Sequence, residues 1–331
     1  MGFFHWRRNE IDFTTAKPLF FSFFIISLIA MLFMWIYKER INKYFTSENK
    51  KFLFKTLNLD QLFIVIGIVA IFFNIVRLII LLVLDFPWKS ELIPLQLCRF
   101  FTYFIPLLFI FKRARNINLF SIIAILGAII GYAFANLGPN EQFIKDDIMY
   151  HNLQPGSIEY QKAGYNVGYD NFIYWDFIFA HSFILIITVL THIIYGEQAK
   201  ITHSVFIKGG IYIILMAILV FFGNWILNTI ANNASNVRIK IALDANWFYL
   251  GQVGINVLGS LSKWPISLPI FIIFGTIAYI IGYIIYILLS CISISINNYY
   301  LPNKIIFSSF KKKFWELKAS LKDVWKVWSL G

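Results

Sequence analysis

Residues 91–112 read "ELIPLQLCRFFTYFIPLLFIFK". About 20 mostly apolar residues carry a helix across a bilayer, and this stretch has that length with Cys98 and Arg99 side by side inside it. An arginine at such depth is costly, so it marks either a functional site or a paired charge. Six further runs have the same character, which gives seven predicted spans: 18–37, 59–84, 92–111, 117–135, 172–195, 209–231 and 265–290. The pattern predicts an all-α, polytopic helical membrane bundle of about seven transmembrane helices. The gap at 112–116 is short enough to make spans three and four a tight hairpin.

Composition agrees with the spans. Hydrophobic residues make up 59% of the 331-residue chain and charged residues 14%, against about a quarter charged in soluble domains. The membrane domain therefore takes nearly all of the chain. No internal repeat of the transporter kind is visible. The first apolar run is long and lacks a small-residue cleavage site, so it reads as a retained helix and not a signal peptide. The net charge of +12 sits mostly in loops and a tail, which points to membrane topology and anionic lipid and not to nucleic acid.

Counting Lys and Arg orients the bundle. With the N-terminus outside, eighteen fall on the inner side and nine on the outer, while Arg77 and Arg99 lie within spans. That bias favours N-out, C-in. The chain divides into an outer segment 1–17, the membrane domain 18–290 with a long acidic outer loop 136–171, and a basic tail 291–331. The loop's tyrosines and glycines suggest an ordered cap over the outer face; the alternative is a mobile loop. In the tail, Phe310, Phe314, Leu317, Leu321, Val324, Trp325 and Trp328 recur at helical spacing among lysines. That is the pattern of an amphipathic helix lying on anionic lipid.

The polar residues inside the spans fall at one depth. At about 1.5 Å of rise per residue, Cys98, His181, Asn224 with Asn228, and Arg77 with Asn74 all lie roughly 8–15 Å below the outer surface. Asn74 and Arg77 share a helix face, as do Asn224 and Asn228. Four helices thus aim polar groups at one predicted outward-opening cavity; the alternative is four unrelated helix–helix hydrogen bonds. Cysteine is a strong nucleophile and a neighbouring histidine can take its proton. Amides such as Asn224, Asn228, Asn74 and Gln96 would line a polar pocket or stabilise an oxyanion. Arg77 and Arg99 would hold a phosphate or carboxylate head group, although Arg99 is also close enough to the interface to snorkel. Asp176 reads as an interfacial residue without a special role. His181, Thr188 and His192 share a face that reads as a proton path or as packing.

Metal and nucleotide chemistry have no support. Cys98 and Cys291 form neither a disulfide framework nor a zinc pattern. Asp147 and His151 lack a convincingly spaced third ligand. No Walker, Rossmann or HExxH motif occurs. No metal and no diffusible cofactor is expected.

Four segments, "ELIPLQLCRF" (91–100), "FAHSFILIITVL" (179–190), "FFGNWILNTI" (221–230) and "LGSLSKWPISLP" (258–269), occur in the order found in YwaF-like bacterial integral membrane proteins. The resemblance covers roughly residues 60–290 and leaves out the first span and the tail. That family looks like distant kin of a eukaryotic transmembrane lysophospholipid acyltransferase, and more loosely of the androgen-induced hydrolases of fatty-acid esters. The resemblance implies Cys98 as nucleophile and His181 as base. Two departures stand out: Gln96 replaces a histidine often found two residues before the cysteine, and Ser182 stands where glycine is common.

The expected function is therefore a membrane lipid acyltransferase or lipid-ester hydrolase acting on membrane phospholipids through Cys98 and His181. The alternatives are a transporter or receptor for a small anionic solute or lipid, and a structural assembly protein docking through the outer loop.

Overall fold

The structure is a computed structural model. It describes residues 2–47, 50–53, 55–135, 137–138, 143–145, 148–150, 165–252, 256–290, 292–295 and 304–307. The chain is an all-α polytopic bundle of α1 (Phe13–Ile36), α2 (Lys38–Thr46), α3 (Leu59–Val83), α4 (Leu97–Ile110), α5 (Ser121–Ala133), α6 (Phe172–Tyr195), α7 (His203–Asn233), α8 (Val237–Leu243) and α9 (Ser267–Ser290). Six helical segments are long and apolar enough to cross a membrane. The predicted fourth span is present as α5, which has only 13 residues. At about 1.5 Å per residue it covers roughly 20 Å, and the 3-10 turn Ala114–Leu119 extends it.

Local sequence sets the helix starts. Asp12 accepts from Thr15 N–H at 2.7 Å, so α1 begins at Phe13, five residues before the predicted span, with Pro18 inside it. Asn58 and Gln61 form a capping box on α3. Asn171 caps α6 and Thr202 caps α7. Each such cap satisfies an amide that the helix leaves without a partner.

Span three departs from its predicted form. It is not one helix: a 3-10 turn, Lys89–Leu92, is followed by an extended segment, and α4 starts only at Leu97. Pro94 disfavours helical geometry at the residue before it, and Ile93 is extended accordingly (φ −74°, ψ 125°). Further along, Pro106 lacks the N–H that would bond the Thr102 carbonyl. The Asn74 amide of α3 takes its place, donating to Thr102 O at 3.1 Å. Gly67 lets α3 approach this point, since a side-chain carbon there would sit 2.7 Å from Pro106 O.

At the centre, α6 packs against α1, α2, α4 and α5. Its buried row includes Ile178, His181, Ile184, Leu185 and Thr188. Apolar rows on α1, α3 and α9, such as Ile25, Ile29, Phe72, Ile79, Phe274 and Ile277, are exposed, which suits a surface in contact with lipid tails.

A cap closes the end of the bundle where α1 starts. Residues 2–12 cross it, with Trp6 buried against Phe86 and Trp88. Trp88 stacks on Tyr165. Asp170 accepts from the Glu10 and Ile11 amides, and Asn171 donates to the His5 and Arg7 carbonyls. Of the predicted cap loop 136–171, residues 165–171 take part, with Asn166 and Val167 donating to the Gly138 and Leu137 carbonyls; 143–145 and 148–150 pair as a small antiparallel hairpin, and the remaining loop residues lie outside the described residues. So do Cys291, Asp147, His151 and the predicted tail helix. Within the tail, 292–295 and 304–307 pair antiparallel.

Candidate functional site

Cys98 is the second residue of α4, so the break at Pro94 places it in the first turn of a helix and not in the middle of one. The first intrahelical bond of this turn runs from Phe100 N–H to Gln96 O, at 2.7 Å. No backbone carbonyl among the described residues accepts from the amides of Leu97, Cys98 and Arg99, and the Gln96 side chain does not cap them. Open amides and the positive end of the helix dipole favour negative charge here. The Cys98 thiol is half-buried and donates to Gly127 O at 3.3 Å.

His181 is 4% exposed. Its Nδ1 lies 2.7 Å from Phe177 O. A carbonyl oxygen can only accept, so Nδ1 carries the proton and the neutral ring presents its lone pair at Nε2. Phe177 stacks on the imidazole at 4.0 Å, and Tyr132 meets it edge-on at 5.4 Å. The Tyr132 hydroxyl is bonded to Ser182, which is bonded in turn to Ser27 on α1.

Gly131 on α5 shows how these two groups meet. A side-chain carbon built on it would collide with His181 Nε2 and would lie 3.2 Å from Cys98 Sγ. His181 Nε2 and Cys98 Sγ therefore both lie against the face of Gly131, where the imidazole leaves no room for a side-chain carbon. The structure thus brings Cys98 and His181 together, from helices 83 positions apart in sequence.

Beside them is an ion cluster. Arg99 reaches both oxygens of Asp176, Nη1 to Oδ1 at 3.0 Å and Nη2 to Oδ2. Arg77 Nε donates to the same Oδ2 at 3.0 Å. All three side chains are less than one-fifth exposed. The reading of Asp176 as an interfacial residue without a role is corrected here: it is the shared partner of both arginines, and this answers how the membrane tolerates them.

The amides form a third group, and they face a loop and not an open cavity. Asn224 donates to Trp247 O (2.8 Å) and accepts from Trp247 N–H (3.0 Å). Asn228 pairs with Ala245 in the same two-point way. Gln96 donates to Asn246 O (2.9 Å) and accepts from Phe248 N–H (3.0 Å). Gln96 therefore fills a purely hydrogen-bonding role. Together with Ser90, which donates to Asp244 O, they hold residues 244–248 beside the last turns of α7. Exposed Ile226 and Ile230 face outward at that level. Irregular backbone survives at such a level only when its polar groups are paired within the protein. Asn74, as described, ties α3 to α4.

The predicted outward-opening cavity is thus roofed. Two surface depressions among the described residues, of ≈ 370 Å³ beside Asn42 and Tyr195 and ≈ 500 Å³ at Ser235–Arg238, have neither Cys98 nor His181 in their walls. Burial raises the Tyr249 phenol to about 12. Burial likewise raises Tyr165, which lies within reach of Glu91, Arg77 and Arg99.

Sequence reasoning missed Gly131, Asp176 and the loop 244–250. Asp176 carried the usual signal of a carboxylate inside a span. Gly131 and the loop carried none, because their roles depend on tertiary contacts.

No curated protein and no solved structure matches the chain. The model of the TMEM164 family, a transmembrane protein family, matches residues 12–293. The match takes in α1, which the resemblance left out, and every residue of the site above. By the extent of this match, the chain belongs to the TMEM164 family.

Proposed function

We propose that this integral membrane protein is a lipid acyltransferase or lipid-ester hydrolase, with Cys98 as nucleophile and His181 as base. One observation carries the reading: Cys98 Sγ and the unprotonated Nε2 of His181 both pack against Gly131, with Nδ1 held by a carbonyl. A base oriented by a third group beside a nucleophile is the arrangement that covalent catalysis needs.

The chemistry follows from the atoms. Cys98 gives its proton to His181 Nε2, and the thiolate attacks the acyl carbonyl carbon of a phospholipid. The tetrahedral oxyanion is stabilised by the open amides of the first turn of α4. Collapse breaks the ester C–O bond, and the leaving alkoxide takes the proton back from Nε2. The acyl group then rests on Sγ as a thioester. An acceptor hydroxyl, from a lysolipid or from water, gives its proton to Nε2 and attacks that thioester, which regenerates the thiol. No diffusible cofactor enters.

Asn224, Asn228 and Gln96 act by holding the roof, and Asn74 by holding α4. The reading as an anion transporter or receptor has less support, because Arg77 and Arg99 already share a carboxylate. The cap face is assigned to the outer leaflet of a bacterial cell membrane on the charge bias, with the tail on anionic inner lipid.

Intact-protein mass spectrometry tests the proposal. Wild-type protein incubated with phospholipid should carry a hydroxylamine-sensitive acyl mass that is missing from Cys98→Ala. His181→Ala should acquire it about 10²–10⁴-fold more slowly. No adduct on wild type, together with no turnover of labelled lipid, would remove Cys98 from the chemistry.

A further inference from the structure

Asp176 performs no step in that chemistry, yet its carboxylate is where three helices meet. We propose that Asp176 is a positioning residue: by gripping Arg99 it fixes the first turn of α4 against α6 and so sets the separation of Cys98 Sγ from His181 Nε2. The inference rests on the Cys98–His181 reading above.

The geometry gives the argument. Arg99 directly follows Cys98 in the first turn of α4. Asp176 precedes His181 by five residues on α6, about 7.5 Å along the axis. The ion pair and the Cys–His pair are therefore two parallel links between the same two helices. The upper link is rigid, because two guanidinium nitrogens meet two carboxylate oxygens and a planar fork fixes orientation as well as distance.

The first turn of α4 needs such a tie. It follows a proline break, so no helix continues upstream to brace it. Its amides have no side-chain cap, since Gln96 is turned toward Asn246 and Phe248. Helix ends without these supports fray. Asp176 does a second thing. Arg77 bonds the same Oδ2 as Arg99, so the two guanidiniums are held together only across this carboxylate. Neutralising it leaves two like charges facing each other in a weakly screened place. The tether becomes a wedge beneath the residue next to the nucleophile.

The experiment uses the full chain in lipid nanodiscs with Cys291→Ser, which leaves Cys98 as the sole cysteine. The rate of Cys98 alkylation by a membrane-permeant iodoacetamide is followed from pH 5 to 9. Asp176→Asn should label at least about tenfold more slowly at neutral pH, the scale expected for an ångström-level misplacement, with a rate–pH profile moved toward that of His181→Ala. Asp176→Glu should restore most of the rate. If Asp176→Asn does not fold, Arg77→Met/Asp176→Asn keeps the cluster's net charge and should still label slowly. Wild-type rate and profile in Asp176→Asn, with His181→Ala slow, would overturn the positioning role alone. Recovery in the double variant would overturn it too, because charge balance and not tethering would then be the cause. If His181→Ala itself labels like wild type, the Cys–His reading fails and takes this inference with it.

Discussion

Gly131→Ala adds one carbon to the space between the two reactive atoms, and its effect can be worked out from the geometry. The new carbon would lie 2.7 Å from His181 Cδ2 and 3.2 Å from Cys98 Sγ, and closer still to Nε2. Ordinary contact requires the imidazole to retreat by about 1 Å, a displacement that costs roughly 100-fold in a positioned reaction. Phe177 stacks on the ring and Tyr132 abuts its edge, so the retreat has no free direction. Fold stability should change little. Overpacking costs about 1–3 kcal/mol, and replacing a mid-helix glycine by alanine returns about 1 kcal/mol. The assay is acyl transfer from labelled phospholipid in nanodiscs, run beside a thermal melt. Gly127→Ala is the control, since its new carbon meets only the end of the Leu97 side chain. The expected result is a ~100-fold loss for Gly131→Ala, a much smaller loss for Gly127→Ala, and similar melts. Equal activities in the two variants would refute the claim that the proton moves between the two atoms packed against Gly131.

Three further outcomes follow from the contacts. Asn224→Ala strands the Trp247 N–H, at about 1–3 kcal/mol, and leaves the Trp247 carbonyl only the Leu250 N–H; hydrogen exchange at the Trp247 amide should accelerate while amides in α6 stay protected. Burial raises the Asp244 carboxyl above its ordinary value of 3.8. Its native form therefore keeps a proton that the unfolded chain releases, and stability falls as pH rises from 3.8 through the raised value. Asp244→Asn should thus raise the melting temperature at pH 7, and the gain should vanish below pH 3.8. Asp12 behaves oppositely. Thr15, through its amide and then its hydroxyl, holds the Asp12 carboxyl below 3.8, so its stabilisation is present above that value and is lost as pH falls through the lowered one. Asp12→Ala should cost about 1 kcal/mol at pH 7, seen as a lower melting temperature that converges with wild type in acid.

The spans were legible because lipid imposes a length and a composition that few other constraints can imitate. The pairing of Cys98 with His181 was legible for a related reason: in a bundle, equal depth on different helices is a coarse distance constraint. Depth says nothing about rotation, however. Asn224 and Asn228 lie at a suitable depth yet turn to Trp247 and Ala245, because a loop that returns beside α7 offered them unpaired backbone. That loop could not be seen in the sequence, since its conformation is imposed by side chains 17–23 residues away and by Gln96 150–152 residues away. Pro94 was visible, but the restart of the helix at Leu97 was not read from it, so Cys98 was expected in the body of a helix instead of at its start. Asp176 was visible too. Its meaning appeared only when the two arginines proved to share it.

Gln96 has two duties that are easily considered apart. It is the residue from which α4 begins, two positions before Cys98, and it is also the hook on which Asn246 and Phe248 hang. Lifting that part of the loop away from the membrane side must first unhook it, and the residue set loose is the one on which the nucleophile's turn is built. Any displacement of the loop by this route therefore also frees the residue two positions before Cys98, so the loop and the first turn of α4 are held by one side chain.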